Sequence, residues 1–453
     1  MRFHTPKESW QWSKALWSHF WNSRMKRAQL EAAQLKKFRR LVAQVLPKSP
    51  YYSHIIKERG IDAKTCVPRD FPLLTKSDVS RHFDDIVTDR TITRKGIADF
   101  LARSKNPREL YEGRYHVLHT SGTSGSIGYY VFSHGDWIKG VSQVARASHL
   151  QYRKRVAFVA ATRGHFAGVS LMLAGNEGTN SWFYDVRTYD VGQPLDQIVA
   201  ELNEFQPHTL SGYAAMLKVL GEAQERGDLR IHPVELGNGG EPLLPDVKAF
   251  LERVFGVKVL NGYASSEHLY MAMTFNGTEG LHLLEDDLIF DLAPDHTAVT
   301  NLFNETLPLI RYRMDDVLVP DTETPSRFPY TRIRNIIGRH ENALVFTNGA
   351  GRDDFIHPIV IAELVVLGLN AWQIVLESKT SFRFRARLEP GQTSDEQSAT
   401  RQRIHRTLDA LLAEKDMGNV FYEIEEVDTL EIDPVTGKFR LVVQEAPRER
   451  MLV

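Results

Sequence analysis

Between Val156 and Leu260 the chain alternates short apolar runs with helix-length amphipathic stretches, and this alternation limits the fold more than any other feature. Val156–Ala161 reads as a buried strand and Leu195–Phe205 as a helix. A short strand near Leu210 leads into a helix from Ala214 that stops at Gly227, and the helix Pro245–Phe255 precedes the strand Val257–Leu260. Strands separated by helices cannot close as hairpins; they cross over and pair side by side, so an α/β fold on mostly parallel sheets is expected. Upstream, Phe38, Leu41, Val42, Val45 and Leu46 form one helical face closed by Pro47, and Thr75 with Asp78 marks a capped helix start. After about residue 340 the texture changes. Phe382–Leu388 alternates apolar and basic residues, Ile404, Leu408, Leu411 and Leu412 form a helical face stopped by Gly418, and strand-like runs cover 420–426 and 439–443. The expected organisation is a basic, Trp-rich helical region over 1–60, a large domain over 61–339 and a small α+β domain over 340–453.

Composition removes several classes. A chain of 453 residues that is 42% hydrophobic and 25% charged is an ordinary globular composition of more than one domain. No window approaches 18 uninterrupted apolar residues, the N-terminus lacks the apolar run of a secretory signal, and a single cysteine, Cys66, excludes a disulfide framework or a multi-thiolate metal site. A cytoplasmic location is expected. Charge is balanced overall but polarised along the chain. Residues 1–60 hold 13 Lys/Arg against 3 Asp/Glu, a net of +10, which leaves 43 against 54, a net of −11, for the rest. Four of the seven tryptophans, Trp10, Trp12, Trp17 and Trp21, fall in the same region. A helix packing its tryptophans on the main body is the leading expectation, and a helix lying on an anionic membrane or an acidic partner is the alternative for residues 1–30. Nucleic-acid binding is not expected, because no recognised motif accompanies the charge.

Five segments carry chemical potential. His119-Thr120-Ser121-Gly122-Thr123-Ser124-Gly125-Ser126 interleaves glycines with hydroxyls, which makes a turn able to surround a phosphate, although it is neither a Walker A loop nor a nucleophile elbow. Gly239-Gly240-Glu241-Pro242 follows the apolar run Val234–Leu236. Asn261-Gly-Tyr263-Ala-Ser-Ser266-Glu267 follows a strand. Arg311-Tyr-Arg-Met-Asp-Asp316 precedes Ile336-Ile-Gly-Arg339, and Thr436-Gly-Lys438 sits on a turn.

In that order these segments resemble the adenylate-forming ligase superfamily, in particular its phenylacetate–CoA ligase-like branch, from about residue 38 to 445. Pro50-Tyr-Tyr and Phe71-Pro-Leu-Leu-Thr-Lys are similar to N-terminal features of that branch. The resemblance implies an AMP-forming acid–thiol ligase that uses ATP and Mg²⁺ to activate an aromatic or small organic acid as an acyl-adenylate. Coenzyme A is the first acceptor it implies, with an amine or a carrier-protein thiol as alternatives. A nucleotide-binding pseudo-ligase acting as a scaffold is a second reading, and the oligomeric state stays open. Thr120 to Gly125 match the phosphate loop; Gly240, Glu241 and Pro242 match the adenine-side loop. Tyr263 would stack on adenine, Ser266 would reach the α-phosphate or cap a following helix, and Glu267 would hold Mg²⁺ or sit in a helix's first turn. Asp316, favoured over Asp315 by its spacing from Arg311, would hold the ribose, and Arg339 ribose or phosphate. Lys438 would be the mobile catalytic cation, since Ser126-Ile127 stands where the family's loop carries a lysine. His165, Phe166, Gly237 and Gly239 are the expected acyl-site residues. Every phosphate-handling segment lies beyond residue 118, so the N-terminal helix is expected to stand apart from the chemistry.

Overall fold

The structure is a computed structural model that describes the chain apart from residues 1–5, 121–126, 147–152, 175–182, 276–277, 294–295, 315, 325, 338–343, 357–365, 431–441 and 445–453. Helices α1 (Pro6–Asn22), α2 (Arg27–Gln44), α3 (Pro50–Arg59), α4 (Lys76–Ile86) and α5 (Arg94–Arg103) open the chain. The Thr75 side chain accepts from Asp78 N while Asp78 accepts from Thr75 N at 3.0 Å, the capping box read from the sequence. The hairpin β1 (Tyr115–His119) and β2 (Tyr129–Ser133) then leads into α6 (His134–Val141).

The alternating region folds as β3 (Lys154–Ala160), α7 (Ala167–Ala174), β4 (Tyr184–Asp190), α8 (Leu195–Phe205), β5 (Thr209–Gly212), α9 (Ala214–Arg226), β6 (Glu235–Gly239), α10 (Pro245–Phe255) and β7 (Val259–Ser265). Its five strands pair in parallel in the order β7-β6-β5-β3-β4. Successive residues of a strand face opposite sides. Ala157, Val159, Leu210 and Leu236 therefore pack against α8, α9 and α10 in one core, while Val156, Phe158, Ser211 and Gly237 look the other way. The sheet continues in antiparallel fashion through β8 (Leu269–Met273) and β9 (Leu281–Leu283). Past β10 (Leu288–Leu292), β11 (Thr297–Asn301) and β12 (Tyr312–Met314), which form their own three-stranded sheet, β13 (Val317–Pro320) and β14 (Arg332–Ile337) complete it. Among the described residues it thus has nine strands, parallel at one end and antiparallel at the other.

The N-terminal region is built into this body. Phe38, Leu41, Val42 and Tyr52 share a buried core with Val117, Phe132, Trp137, Leu307 and Ile310. The sequence pattern expected the tryptophans of α1 to pack inward, and the structure turns three of the four outward: Trp10, Trp17 and Trp21 are 70%, 62% and 57% exposed. Polar side chains seat the helix instead. Glu8, His19 and Asn22 are buried, with His19 Nε2 2.9 Å from Ser142 Oγ and Glu8 3.2 Å from His134 Nε2.

A separate core starts at Leu344. It holds the hairpin β15 (Leu344–Thr347) and β16 (Asp353–Ile356), then β17 (Leu369–Ser378), β18 (Ser381–Leu388), α11 (Ser394–Glu414), β19 (Phe421–Glu426) and β20 (Val442–Gln444), with sheet order β19-β18-β17-β20. Ile404, Leu408, Leu411 and Leu412 of α11 are buried on that sheet. This small α/β unit meets the large body through polar contacts. Arg163 pairs with Glu414, and the buried Lys415 donates to the Gln193 carbonyl at 2.9 Å.

Candidate active site

The carboxyl ends of parallel strands point their last residues into a common crevice, which is where open α/β sheets bind ligands. Here those ends are Gly212 of β5 and Gly239 of β6, with Gly262 of β7 paired beside Gly239. Gly240 follows at φ +85°, where a Cβ would come within 2.8 Å of the Tyr213 ring, so only glycine turns the chain there without strain. Glu241 points back, its carboxylate accepting from Ala215 N at 2.8 Å, and the Glu241 carbonyl accepts from Asn238 at 2.8 Å. The Gly240-Glu241-Pro242 turn is therefore fixed by its own side chains.

The tyrosine motif lies within β7, which runs to Ser265 and is longer than the sequence pattern suggested. No helix follows: a short turn leads straight into β8, so the alternative readings of Ser266 as an N-cap and Glu267 as a first-turn residue are corrected. Ser266 Oγ donates to the His119 carbonyl at 3.1 Å, fastening the motif to the start of the Ser/Thr/Gly loop. At that start Thr120 and Gly128 close the loop's base: Thr120 N donates to Gly128 O at 3.0 Å and Gly128 N to Thr120 Oγ1 at 2.9 Å. Tyr263 donates its hydroxyl to Asp316 Oδ2 at 2.8 Å, so these two expected nucleotide residues stand together. Glu267 is 8% exposed and accepts from Tyr312 Oη at 3.3 Å; Tyr312 is in turn 2.9 Å from Tyr130 Oη. Burial raises the Tyr130 hydroxyl well above its ordinary pKa, so it stays protonated. Arg311 reaches Asp291 at 3.0 Å and the Phe71 carbonyl at 3.0 Å, which ties the Phe71–Lys76 segment to the site's underside.

A cavity of about 500 Å³ runs from this cluster along the sheet face left bare by α8–α10. His119, Thr120, Gly239, Gly240, Ser266 and Glu267 line one end, and Lys154, Thr209 and Glu235 the other. Gly239 and Glu235 are four residues apart on one strand, so the cavity is roughly 13 Å long at ~3.3 Å per residue. Phe158, Phe166, Leu171 and Met172 make its walls apolar. Gly237 lies on the same wall, where a Cβ would collide with Ser211 Oγ of the neighbouring strand. At the far end Lys154, 2% exposed, pairs with Glu235 at 2.6 Å, and Thr209 Oγ1 donates to the same carboxylate at 3.1 Å.

Phe166, Gly237 and Gly239 line the cavity. His165 does not: it is 1% exposed, its Nε2 is 3.0 Å from Ser104 Oγ, and its carbonyl accepts from His119 N. His119, placed edge-on to Phe166 at 4.5 Å, is the histidine that reaches the cavity, and burial lowers its pKa to about 4, leaving it neutral. Trp12 and Leu16 of α1 also line the cavity, so the N-terminal helix does not stand apart from the site. The signal for the missed residues was present only in part. Glu235 is a charge between apolar residues, Lys154 stands in a basic run with Arg153 and Arg155, and the helical period separates Trp12 from Trp10, Trp17 and Trp21 without saying which face meets the body. Ser121, Gly122, Thr123, Ser124, Gly125, Arg339 and Lys438 lie outside the described residues.

A single carboxylate beside open space is a donor set that suits Mg²⁺, which keeps several waters and shares substrate phosphates rather than requiring a protein cage. Among the described residues no cluster of three or more His, Cys, Asp or Glu forms such a cage.

Fold and site together place the motif residues on the carboxyl edge of an α/β sheet beside a largely apolar cavity. The chain belongs to the AMP-binding enzyme family, whose model matches residues 61–289, and is thereby an ATP-dependent, adenylate-forming ligase. It is similar to the protein CapK of Staphylococcus aureus, 23% identical over 329 residues that cover 69% of this chain and 68% of that one. It is also similar to a phenylacetate–coenzyme A ligase of Thermus thermophilus, 25% identical over 350 residues covering 70% and 72%. Among solved structures, a 2-hydroxyisobutyryl-CoA ligase shares the fold with a TM-score of 0.60 over 94% of this chain and 92% of that one, at 17% identity.

Proposed function

We propose that the protein activates an elongated or aromatic hydrophobic carboxylic acid as its acyl-adenylate and passes the acyl group to a thiol, coenzyme A first. The observation that carries this reading is one continuous cavity with two chemistries: polar family residues at the strand ends and apolar walls beyond them. The acid lies with its carboxylate at the Gly239–Ser266 end and its body against Phe158, Phe166 and Gly237. Adenine stacks on the Tyr263 ring beside Gly240-Glu241-Pro242, and Asp316 accepts from the ribose hydroxyls. Thr120 and the loop through Gly125 surround the phosphates, with Ser266 donating towards the α-phosphate. A carboxylate oxygen then bonds to the α-phosphorus as the bond to pyrophosphate breaks, giving acyl-AMP.

Two anions must approach one another in that step. Glu267 would hold Mg²⁺, which would supply charge neutralisation on the phosphates. Lys438, carried by the small domain, brings a compact cation to the same place, and Arg339 assists on the ribose or phosphate side. The neutral His119 closes the end of the cavity without adding a charge to it. His165 is a positioning residue, since its carbonyl receives His119 N and its ring is anchored on Ser104. Coenzyme A as acceptor draws on the relatives named as phenylacetate–coenzyme A ligases. ATP–pyrophosphate exchange with a panel of acids tests the first half-reaction, and thioester formation with coenzyme A, an amine or a carrier thiol tests the second. Absence of acid-dependent exchange across aryl and alkyl acids would sink the reading. In Lys438→Ala exchange should vanish, while pre-made acyl-AMP is still consumed by the thiol.

A further inference from the structure

We propose that the outer face of α1 seats this enzyme on an anionic lipid surface. At 100° per residue, Trp10, Lys14, Trp17 and Trp21 fall within about 60° of one another around the helix, opposite Glu8, Trp12 and His19, which face the body. The outward stripe is apolar well beyond what a surface helix needs. Trp10, Trp17, Phe20 and Trp21 are each more than half exposed, at 70%, 62%, 51% and 57%. They form one patch: Trp17 and Trp21 stack at 6.4 Å, Phe20 stands edge-on to Trp21 at 5.8 Å, and the Arg24 guanidinium lies 3.5 Å over the Phe20 ring.

Two features select lipid over protein. The first is side-chain type. Tryptophan, with a flat apolar body and one N–H donor, is the residue that settles at the headgroup boundary, where one side is apolar and the other wet. The second is charge. Lys14, Arg24 and Lys26 are exposed around the patch, and no Asp or Glu occurs between Ser9 and Leu30. The one acid of the helix, Glu8, is buried against His134. A second copy docking face to face would set these cations against themselves, because a two-fold interface pairs a patch with its own image. An anionic bilayer satisfies both features, through the cations Lys14, Arg24 and Lys26 beside the patch. Among the described residues no helix is long and apolar enough to cross a membrane, so the contact is a surface one.

The test is flotation of the full-length protein with vesicles of phosphatidylcholine alone or containing about one third phosphatidylglycerol. Binding should be at least roughly tenfold stronger to the anionic vesicles and should weaken with salt. Trp10→Ser/Trp17→Ser/Trp21→Ser should lose binding with an unchanged melting temperature, since these side chains face away from the body. Lys14→Glu/Arg24→Glu/Lys26→Glu should lose the preference for anionic lipid. Quenching of wild-type tryptophan fluorescence by brominated lipid checks insertion without any substitution. Failure of the wild type to float with either vesicle overturns the proposal, as does a dimer in sedimentation that the triple Trp variant turns into a monomer.

Discussion

Replacing Tyr312 by phenylalanine removes one hydroxyl and tests whether Glu267 is a positioned ligand or a bystander. That hydroxyl donates to Glu267 Oε1 at 3.3 Å and touches Tyr130 Oη at 2.9 Å, and Glu267 is 8% exposed, so solvent is poorly placed to replace it. A hydrogen bond to a charged group contributes about 1.5–3 kcal/mol. The distance is long for an O–H···O contact, which places this one near 1.5 kcal/mol, or about tenfold at ~1.4 kcal/mol per decade. Tyr312→Phe should therefore lower acid-dependent ATP–pyrophosphate exchange about tenfold at limiting Mg²⁺, and most of the loss should return at saturating Mg²⁺. Glu267→Gln, which removes the carboxylate's charge itself, should lose most of the activity at any Mg²⁺ concentration. The assay is exchange rate against free Mg²⁺ for both variants, with circular dichroism to verify the fold. An unchanged Mg²⁺ dependence in Tyr312→Phe, or normal exchange in Glu267→Gln, would refute the reasoning.

Further expectations follow from buried groups. Lys154→Met leaves Glu235 with Thr209 but without its cation, and removing one partner of a buried pair should cost about 3 kcal/mol in chemical denaturation, most of it recovered by adding Glu235→Gln. Trp12→Ala opens the cavity wall, so acids too bulky for the parent should gain exchange activity relative to small ones; an unaltered acid profile would remove Trp12 from the site. Burial depresses His19, His119, His165 and His282 to about 4 and His268 to about 3. The unfolded chain takes up these protons near pH 6.5 and the folded one refuses them, so stability is full above pH 6.5 and falls as pH drops towards 4. Urea midpoints measured across that window should fall steadily, and a flat profile would contradict the burial.

The sequence was most legible where one local rule decides the outcome. Thr75 with Asp78, Gly227 after α9 and the α11 stripe of Ile404, Leu408 and Leu411 are settled within a few residues by capping, left-handed turns and the 3.6-residue period. Tyr263, Ser266 and Glu267 fall together because they lie in and just after one strand, and Gly240 directly follows its neighbour. The missed features depend on partners far along the chain. Ser104 lies 61 residues from His165, and only their contact explains why this histidine turns from the cavity and leaves His119 there. The orientation of α1 is similar: its period is visible, but which face meets the body is set by Ser142 and His134, more than a hundred residues away. Apolar content argued for tryptophans inside, and paired polar groups won.

The Arg163–Glu414 pair gives the cavity wall a second point of attachment. Arg163 sits three residues before Phe166, on the loop whose neighbour Thr162 is fastened to Asp190 by its backbone N–H at 2.9 Å and by its hydroxyl. That loop has one anchor in the sheet and one in the small domain. Displacing Glu414 would release the second anchor and leave the first, so this stretch of cavity wall, up to Phe166, is held jointly by the sheet and by the small domain.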